Sequence, residues 1–202
     1  MDTKRRLAKA RIFATRLLAV LFFAFVAISS SRWEGSLVSG ALFSAGALLV
    51  GVASVGRLWC NLYLAGHRNK DLVTVGPYSM CRNPLYFFSL IGAAGVGFAT
   101  ETLIVPAIIL AAFAIYYPMV IRSEQQVLRS AHGEAFEAYV RSTPAFIPRP
   151  WLLREPEEWA VDPVRFRKKV LDAIWFIWLL GALEAVEALH EAGVIPVFLR
   201  LW

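Results

Sequence analysis

The stretch GPYSMCRNPLYFFS, residues 76–89, joins a polar turn to the start of an uncharged run. Gly76-Pro77 is a turn signal, and Pro84 suits the first turn of a helix, where its missing N–H costs nothing. The polar and aromatic side chains at this boundary are Tyr78, Arg82, Asn83 and Tyr86. One or two such residues anchor a transmembrane helix, so the stretch indicates a functional site at the edge of a bilayer.

The composition of the chain is typical of membrane proteins. Of 202 residues, 58% are hydrophobic and only 18% are charged, and the mean hydropathy is +0.56. The runs 35–56, 83–100 and 102–121 contain no Asp, Glu, Lys or Arg. As helices they would span roughly 27–33 Å, which matches the hydrocarbon core of a bilayer. We therefore expect each run to cross a membrane.

Two further runs extend this pattern. Leu17–Ser31 becomes long enough to span if Arg11 and Arg16 snorkel to the headgroups, and no small-residue cleavage site follows it. Ala173–Leu183 is shorter, and a span there must include Glu184 and Glu187 near one end. The predicted fold is an all-α integral membrane protein with about five transmembrane helices in antiparallel hairpins and no Rossmann domain.

The distribution of Lys and Arg predicts the orientation of these spans. With a cytoplasmic N-terminus, residues 1–16, 57–82 and 122–169 lie in the cytoplasm, and of 21 Lys and Arg only Arg32 and Arg200 lie outside. This asymmetry follows the positive-inside rule. The net charge of +6 therefore indicates orientation and attraction to anionic lipid headgroups rather than nucleic-acid binding. We expect a multi-pass protein of the plasma or inner membrane.

The cysteines and histidines do not form a recognisable metal site. Cys60 and Cys81 are the only two cysteines, and both fall on the predicted cytoplasmic side, where a structural disulfide is not expected. The three histidines are scattered and share no ligand spacing with the cysteines. We therefore predict no metal ligands.

A second polar segment, RSEQQVLRSAHGEAFEAYVRSTPAFIP, occupies residues 122–148. Its apolar residues recur at helical spacing, so we expect the fourth span to continue as an amphipathic helix. Glu124 follows the end of that span by one turn, at the depth that Arg82 and Asn83 have on the third span. A carboxylate this close to a bilayer needs hydrogen-bonding partners, which the stretch 76–89 supplies.

These two segments together resemble a known superfamily. DLVTVGPYSMCRNPLYFFS (71–89), a helix of small residues and SEQQVLRSAHGEAFEAYVRSTPAFIP (123–148) are similar to the isoprenylcysteine carboxyl methyltransferases and phospholipid methyltransferases. The resemblance implies a membrane enzyme that binds S-adenosylmethionine in a cytoplasmic pocket between the two segments. We expect a single domain over residues 1–202, with a family-like core at 65–148 and a C-terminal extension at 149–202.

The chain departs from the family pattern at two positions. The family's Arg-His-Pro is Arg82-Asn83-Pro84 here, and its paired glutamates are Glu124-Gln125. An asparagine replaces the hydrogen bonds of a histidine but does not act as a base. Gln125 keeps a hydrogen bond without the charge, so Glu124 is the carboxylate that we expect to act.

The residue types suit the cofactor that the resemblance implies. Tyrosine faces attract a sulfonium, Arg82 matches a carboxylate, and Glu124 accepts from ribose hydroxyls or an α-amino group. We predict Arg82 and Glu124 as the catalytic residues. The predicted cofactor-binding residues are Lys70, Leu72, Val73, Gly76, Tyr78, Asn83, Tyr86, Glu124 and Tyr139.

The methyl acceptor stays open at this point. It is expected to be an amphiphile that enters from the bilayer and offers a carboxylate, an amine or a thiol. The alternative is a non-catalytic lipid-binding or assembly protein that retains the scaffold, an alternative favoured by Asn83 and Gln125. The sequence also leaves the oligomeric state open.

The C-terminal extension contains two further features. Residues 149–169 combine Trp151, Trp159 and a basic cluster, which predicts a segment at headgroup level that binds anionic lipid. Three glutamates of the last helix share one face at the predicted outer end, and we expect interfacial or subunit contacts there; they are Glu184, Glu187 and Glu191.

Overall fold

The structure is a computed structural model that describes residues 24–67 and 71–201. Its helices are α1 (Leu37–Leu64), α2 (Pro77–Met80), α3 (Pro84–Phe98), α4 (Ile104–Ser142), α5 (Pro163–Ala173) and α6 (Trp175–Glu191), with one 3₁₀ turn at Pro150–Leu152. The described chain is mostly helical and contains no Rossmann-like sheet. The all-α prediction is wrong in one detail, because β1 (Ser29–Ser31) pairs in parallel with β2 (Leu199–Leu201).

Two of the described helices, α1 and α4, are long and apolar enough to cross a membrane. Helix α3 is a shorter apolar helix of 15 residues, and α6 has 17 residues. Residues 17–23 of the predicted first span, Leu17–Ser31, lie outside the described residues. The two long apolar helices support a membrane protein, and the number of five spans stays a prediction.

Small residues bring α1 and α3 into close backbone contact. A Cβ atom on Gly46 would lie 2.6 Å from the carbonyl oxygen of Gly95, and one on Gly95 would lie 2.8 Å from that of Gly46. Close approach through small residues is a common way for membrane helices to pack, because lipid provides no hydrophobic drive between them. Gly46 of α1 and Gly95 of α3 therefore serve helix packing.

Helix α4 bends at Gly133, where φ is +48° and ψ is −121°. Glycine adopts this left-handed region without the steric cost that a Cβ atom imposes. Beyond the bend, Phe136 and Tyr139 are buried, whereas Val127 before it is exposed. The predicted amphipathic continuation of the fourth span is present, but its last turns point in a new direction.

The segments predicted to lie on the outer, non-cytoplasmic side of the membrane meet at one end of the bundle. Ser31 Oγ donates a hydrogen bond to the carbonyl of Glu101 at 2.7 Å, and the backbone N–H of Arg32 donates to the carbonyl of Leu201 at 2.8 Å. Both contacts lie where α1 begins and α3 ends. The opposite end of the bundle, where α1 ends and α3 begins, carries the two polar segments.

Residues 143–162, which we call the strap, run along residues 76–83 at that opposite end. The N–H of Arg82 donates to the carbonyl of Pro144 at 2.9 Å, and the N–H of Gly76 donates to that of Arg154 at 2.8 Å. Phe146 of the strap packs against Phe87 of α3, with ring centroids 5.9 Å apart. The strap therefore fixes the backbone of residues 76–83 against the start of α3.

Candidate functional site

A cavity of about 350 Å³ lies at the end of the bundle where α1 ends and α3 begins. Small-molecule sites usually have volumes of roughly 300–1,000 Å³. Eight of the residues predicted from the sequence line it: Leu72, Val73, Tyr78, Arg82, Asn83, Tyr86, Glu124 and Tyr139. The fold therefore brings the two polar segments together around one cavity.

The two remaining predicted residues are placed differently. Gly76 does not line the cavity; its φ is +58°, and a Cβ atom there would collide with the ring of Tyr63. Gly76 thus shapes the turn and leaves room for Tyr63. Lys70 lies outside the described residues. The cofactor-binding roles of both residues stay predictions.

Asp71 lines the same cavity and was not among the predicted site residues. Its Oδ2 lies 2.9 Å from Nδ1 of His67, whose Nε2 lies 2.8 Å from the carbonyl oxygen of Ala160 in the strap. The His67 ring also packs on Trp159, with centroids 4.4 Å apart. Asp71 directly precedes the predicted lining residue Leu72 in the sequence. This adjacency is the feature of the sequence that could have indicated Asp71 as a site residue.

Arg82 lines the cavity, and one donor of its guanidinium has no partner among the described residues. Its Nε is buried, and within the described part of the chain no atom accepts a hydrogen bond from it. A buried donor on a charged group is costly to leave unpaired. An anionic group of a bound ligand would remove that cost.

Aromatic side chains form one wall of the cavity. The hydroxyl of Tyr139 donates to the carbonyl of Tyr78 at 2.6 Å and joins the end of α4 to α2. Tyr86 packs edge-to-face on Tyr117, with centroids 5.1 Å apart, and Tyr117 stacks on Phe113 at 3.5 Å. The wall therefore continues from the cavity along the contact between α3 and α4.

Comparisons with known proteins identify the family. The sequence model of the phospholipid methyltransferase family matches residues 36–135. The cobalt-zinc-cadmium resistance protein CzcN of Cupriavidus metallidurans is 44% identical over 98% of this chain and 89% of its own length. The chain belongs to the phospholipid methyltransferase family. The resemblance stated from the two sequence segments is thereby confirmed.

A second relative has a similar name and a similar extent of match. The nickel-cobalt-cadmium resistance protein NccN of Alcaligenes xylosoxydans xylosoxydans is 40% identical over 96% of this chain and 91% of its own length. No solved structure matches the chain. The matched segment 36–135 contains all of α1 and α3, and most of α4.

Asn83 of this family member ties the strap to the start of α3. Its Nδ2 donates to the carbonyl of Ala145 at 2.7 Å, and the residue is only 9% exposed. The amide nitrogen is therefore occupied in the described structure. Because an amide does not take up a proton at neutral pH, Asn83 positions the strap and does not act as a base.

Glu124 lies on an exposed part of α4 at the edge of the cavity. Within the described residues, no ion pair joins it to Arg82, which lines the same cavity. Opposite charges in the lining of one cavity suit a ligand that carries both charges. This arrangement matches a zwitterionic amino acid group.

Cys81 is a fully buried thiol in the turn before α3. Burial raises the pKa of the Cys81 thiol to about 11, so this residue is a neutral packing group at pH 7. Within residues 24–67 and 71–201, no group of three or more His, Cys, Asp or Glu side chains is arranged to hold a metal ion.

The glutamates of α6 lie at the other end of the bundle, where Glu184, Glu187 and Glu191 share a groove with Glu101.

Proposed function

We propose that the protein transfers a methyl group from S-adenosylmethionine to a lipid-like or otherwise hydrophobic acceptor. The observation that carries the proposal is the cavity of about 350 Å³, which the two family segments line and which is bordered by Arg82, whose buried Nε has no partner among the described residues. Family membership supports a methyltransferase fold, and the donor set supports the cofactor.

The residues around the cavity fit each part of that cofactor. Arg82 would hold its carboxylate, and Glu124 or Asp71 would accept hydrogen bonds from its α-amino group or ribose hydroxyls. The faces of Tyr78 and Tyr86 suit a positive sulfur. The cofactor supplies a methyl group on a sulfonium, which is a strong electrophile.

The protein's part in such a reaction is mainly alignment. Nucleophile and methyl group must be held about 3–3.5 Å apart and in line, which needs a rigid, dry site. The carboxylates Glu124 and Asp71 are weak bases, and Asn83 does not act as one. These residues favour an acceptor that is already nucleophilic at neutral pH, such as a carboxylate, over an ammonium that must first lose a proton.

The acceptor is proposed to enter from the bilayer. Helices α1 and α4 expose many large apolar side chains, among them Leu48, Val55, Ile115 and Met119. The aromatic wall leads from Tyr86 toward this part of α4. With the N-terminus in the cytoplasm, the cavity opens on the cytoplasmic side of a multi-pass protein.

The names of the relatives give a second candidate function. CzcN and NccN are named as metal resistance proteins, and we propose that this chain also acts in metal resistance. A non-catalytic scaffold within a resistance system is the alternative to an enzyme that modifies an acceptor in the membrane. The structural tie made by Asn83, at the position of the family's histidine, favours this alternative.

One pair of measurements on the purified protein in detergent distinguishes the two candidates. The first is binding of S-adenosylmethionine, read as a melting temperature that rises with ligand concentration. The second is transfer of a labelled methyl group to a total lipid extract, with the product identified by mass spectrometry. Binding and transfer support the enzyme, whereas absence of both supports the scaffold.

A growth experiment tests the role in resistance. In a strain whose metal resistance depends on this chain, Glu124→Ala should abolish resistance if catalysis is needed, while the control Glu184→Ala should not. Resistance that survives Glu124→Ala, in a variant shown not to bind the cofactor, would favour the scaffold.

A further inference from the structure

The solvent-exposed face of helix α5, which we call its outer face, carries both apolar and cationic side chains. Val164, Arg167, Lys168 and Leu171 are exposed and occupy positions i, i+3, i+4 and i+7, so they share one face of the helix. Val164 and Leu171 are 54% and 65% exposed, although both are apolar. A face with apolar ends and a cationic centre is typical of helices that contact membrane headgroups.

The two cations on this face differ from the other two cations of α5 in whether they form ion pairs. Arg165 pairs with Asp162 at 3.2 Å, and Lys169 pairs with Asp172 at 2.5 Å. Within the described part of the chain, neither Arg167 nor Lys168 has an ion-pair partner. The net positive charge of α5 is therefore concentrated on its outer face.

Contacts with α1 define the depth of α5. The N–H of Asp162 donates to the carbonyl of Ala65 at 3.1 Å, and Nη2 of Arg57 donates to the carbonyl of Asp172 at 2.7 Å. Helix α5 therefore runs antiparallel to the last two turns of α1. Arg57 is the first charged residue after the uncharged run 35–56, which is predicted to cross the membrane, so Asp172 lies at the predicted edge of the hydrocarbon.

The basic pair lies slightly further out than this edge. Arg167 and Lys168 precede Asp172 by five and four residues, which is about 6–8 Å along a helix. The headgroup region on each side of a bilayer is about 5–8 Å thick. Just inside the edge, Trp175 and Trp178 are 55% and 65% exposed, as interfacial tryptophans often are.

We propose that this face of α5 binds the anionic headgroups of phospholipids in the cytoplasmic leaflet, with Arg167 and Lys168 contacting the phosphates. Charge complementarity selects the occupant, because the cytoplasmic leaflet is negatively charged and the exposed cations face it at headgroup depth. Leu171 and Trp175 contact the adjoining acyl chains. The site is separate from the cavity and does not depend on methyl transfer.

The test measures lipid binding by the purified full-length protein in a neutral detergent. Phosphatidylglycerol or phosphatidylcholine is titrated in, and the apparent dissociation constant is read from the rise in melting temperature. Wild-type protein should prefer phosphatidylglycerol, and Arg167→Ala/Lys168→Ala should weaken its binding on the order of 10-fold or more. The matched control is Arg165→Ala/Lys169→Ala, which removes the same charge from the same helix but takes it from ion pairs.

Three outcomes of the lipid titrations would overturn the proposal. They are equal binding of the two lipids by the wild type, equal loss in the test and control variants, and displacement of phosphatidylglycerol by an equal concentration of inorganic phosphate. Repeating the titration of the wild type at high salt tests the proposal without any variant. Salt screens the charges and should remove the preference for phosphatidylglycerol. A preference that persists at about 1 M salt would also count against it.

Discussion

Asn83 donates a hydrogen bond from Nδ2 to the backbone carbonyl of Ala145 at 2.7 Å, across 62 residues of sequence. The bond fixes the strap to the first residue before α3, at the wall of the cavity. The family pattern has a histidine at this position. In this chain the side chain is thus a structural tie.

Replacement of Asn83 by aspartate should destabilise the protein. The carboxylate has no N–H to donate and would face the carbonyl of Ala145, so we expect a loss of about 1–3 kcal/mol in the free energy of unfolding. Asn83→His restores a donor and should recover part of the loss. Melting temperatures in detergent measure the effect, with Gln126→Glu on the exposed face of α4 as the control for the same chemical change. An unchanged melting temperature in Asn83→Asp would show that the bond does not contribute.

Arg82 and Glu124 should each contribute to cofactor affinity. A lost charge-assisted hydrogen bond costs about 1.5–3 kcal/mol, so Arg82→Ala and Glu124→Ala should each raise the dissociation constant of S-adenosylmethionine on the order of 10- to 100-fold. Gln125→Ala should have a much smaller effect. Glu184→Ala, at the other end of the bundle, is the control. Wild-type affinity in both Arg82→Ala and Glu124→Ala would contradict the assignment of this cavity as the cofactor site.

Asp71 and His67 should behave as a coupled pair. Asp71→Asn removes a carboxylate from the cavity wall and should weaken cofactor binding on the order of 10-fold. His67→Ala keeps that carboxylate and removes only its hydrogen-bond partner, so it should reduce cofactor affinity by less. Because His67 acts through Asp71, adding His67→Ala to Asp71→Asn should cause no further loss of affinity. Additive losses in the double variant would show that His67 affects the site by another route.

Gly76 should not tolerate a side chain. In Gly76→Ala the new Cβ meets the ring of Tyr63 at a positive φ, so we expect a loss of about 2–5 kcal/mol from strain and overpacking. Gly51 provides the control, since a Cβ atom there has nothing within 4 Å and α1 gains helix propensity. Thermal unfolding of the two variants in detergent checks the contrast. Equal melting temperatures would mean that the turn relaxes to accommodate alanine.

Properties that depend on neighbouring residues in the sequence were predictable. The uncharged runs 35–56 and 102–121 became the apolar helices α1 and α4, because hydropathy and length alone decide whether a helix suits a bilayer. Pro84 begins α3 as expected, since proline at that position loses no hydrogen bond. The spacing of Arg82 and Glu124 relative to these helices placed both residues at one end of the bundle.

Relationships between distant segments were decided only by the tertiary structure. The course of the strap, the bond from Asn83 to Ala145 and the position of Asp71 beside His67 depend on how separate helices pack. Hydropathy carries no information about such contacts, because each side chain has many partners of similar energy available to it. The bend at Gly133 is of the same kind: glycine permits a positive φ, but burial of Phe136 and Tyr139 against the cavity selects it.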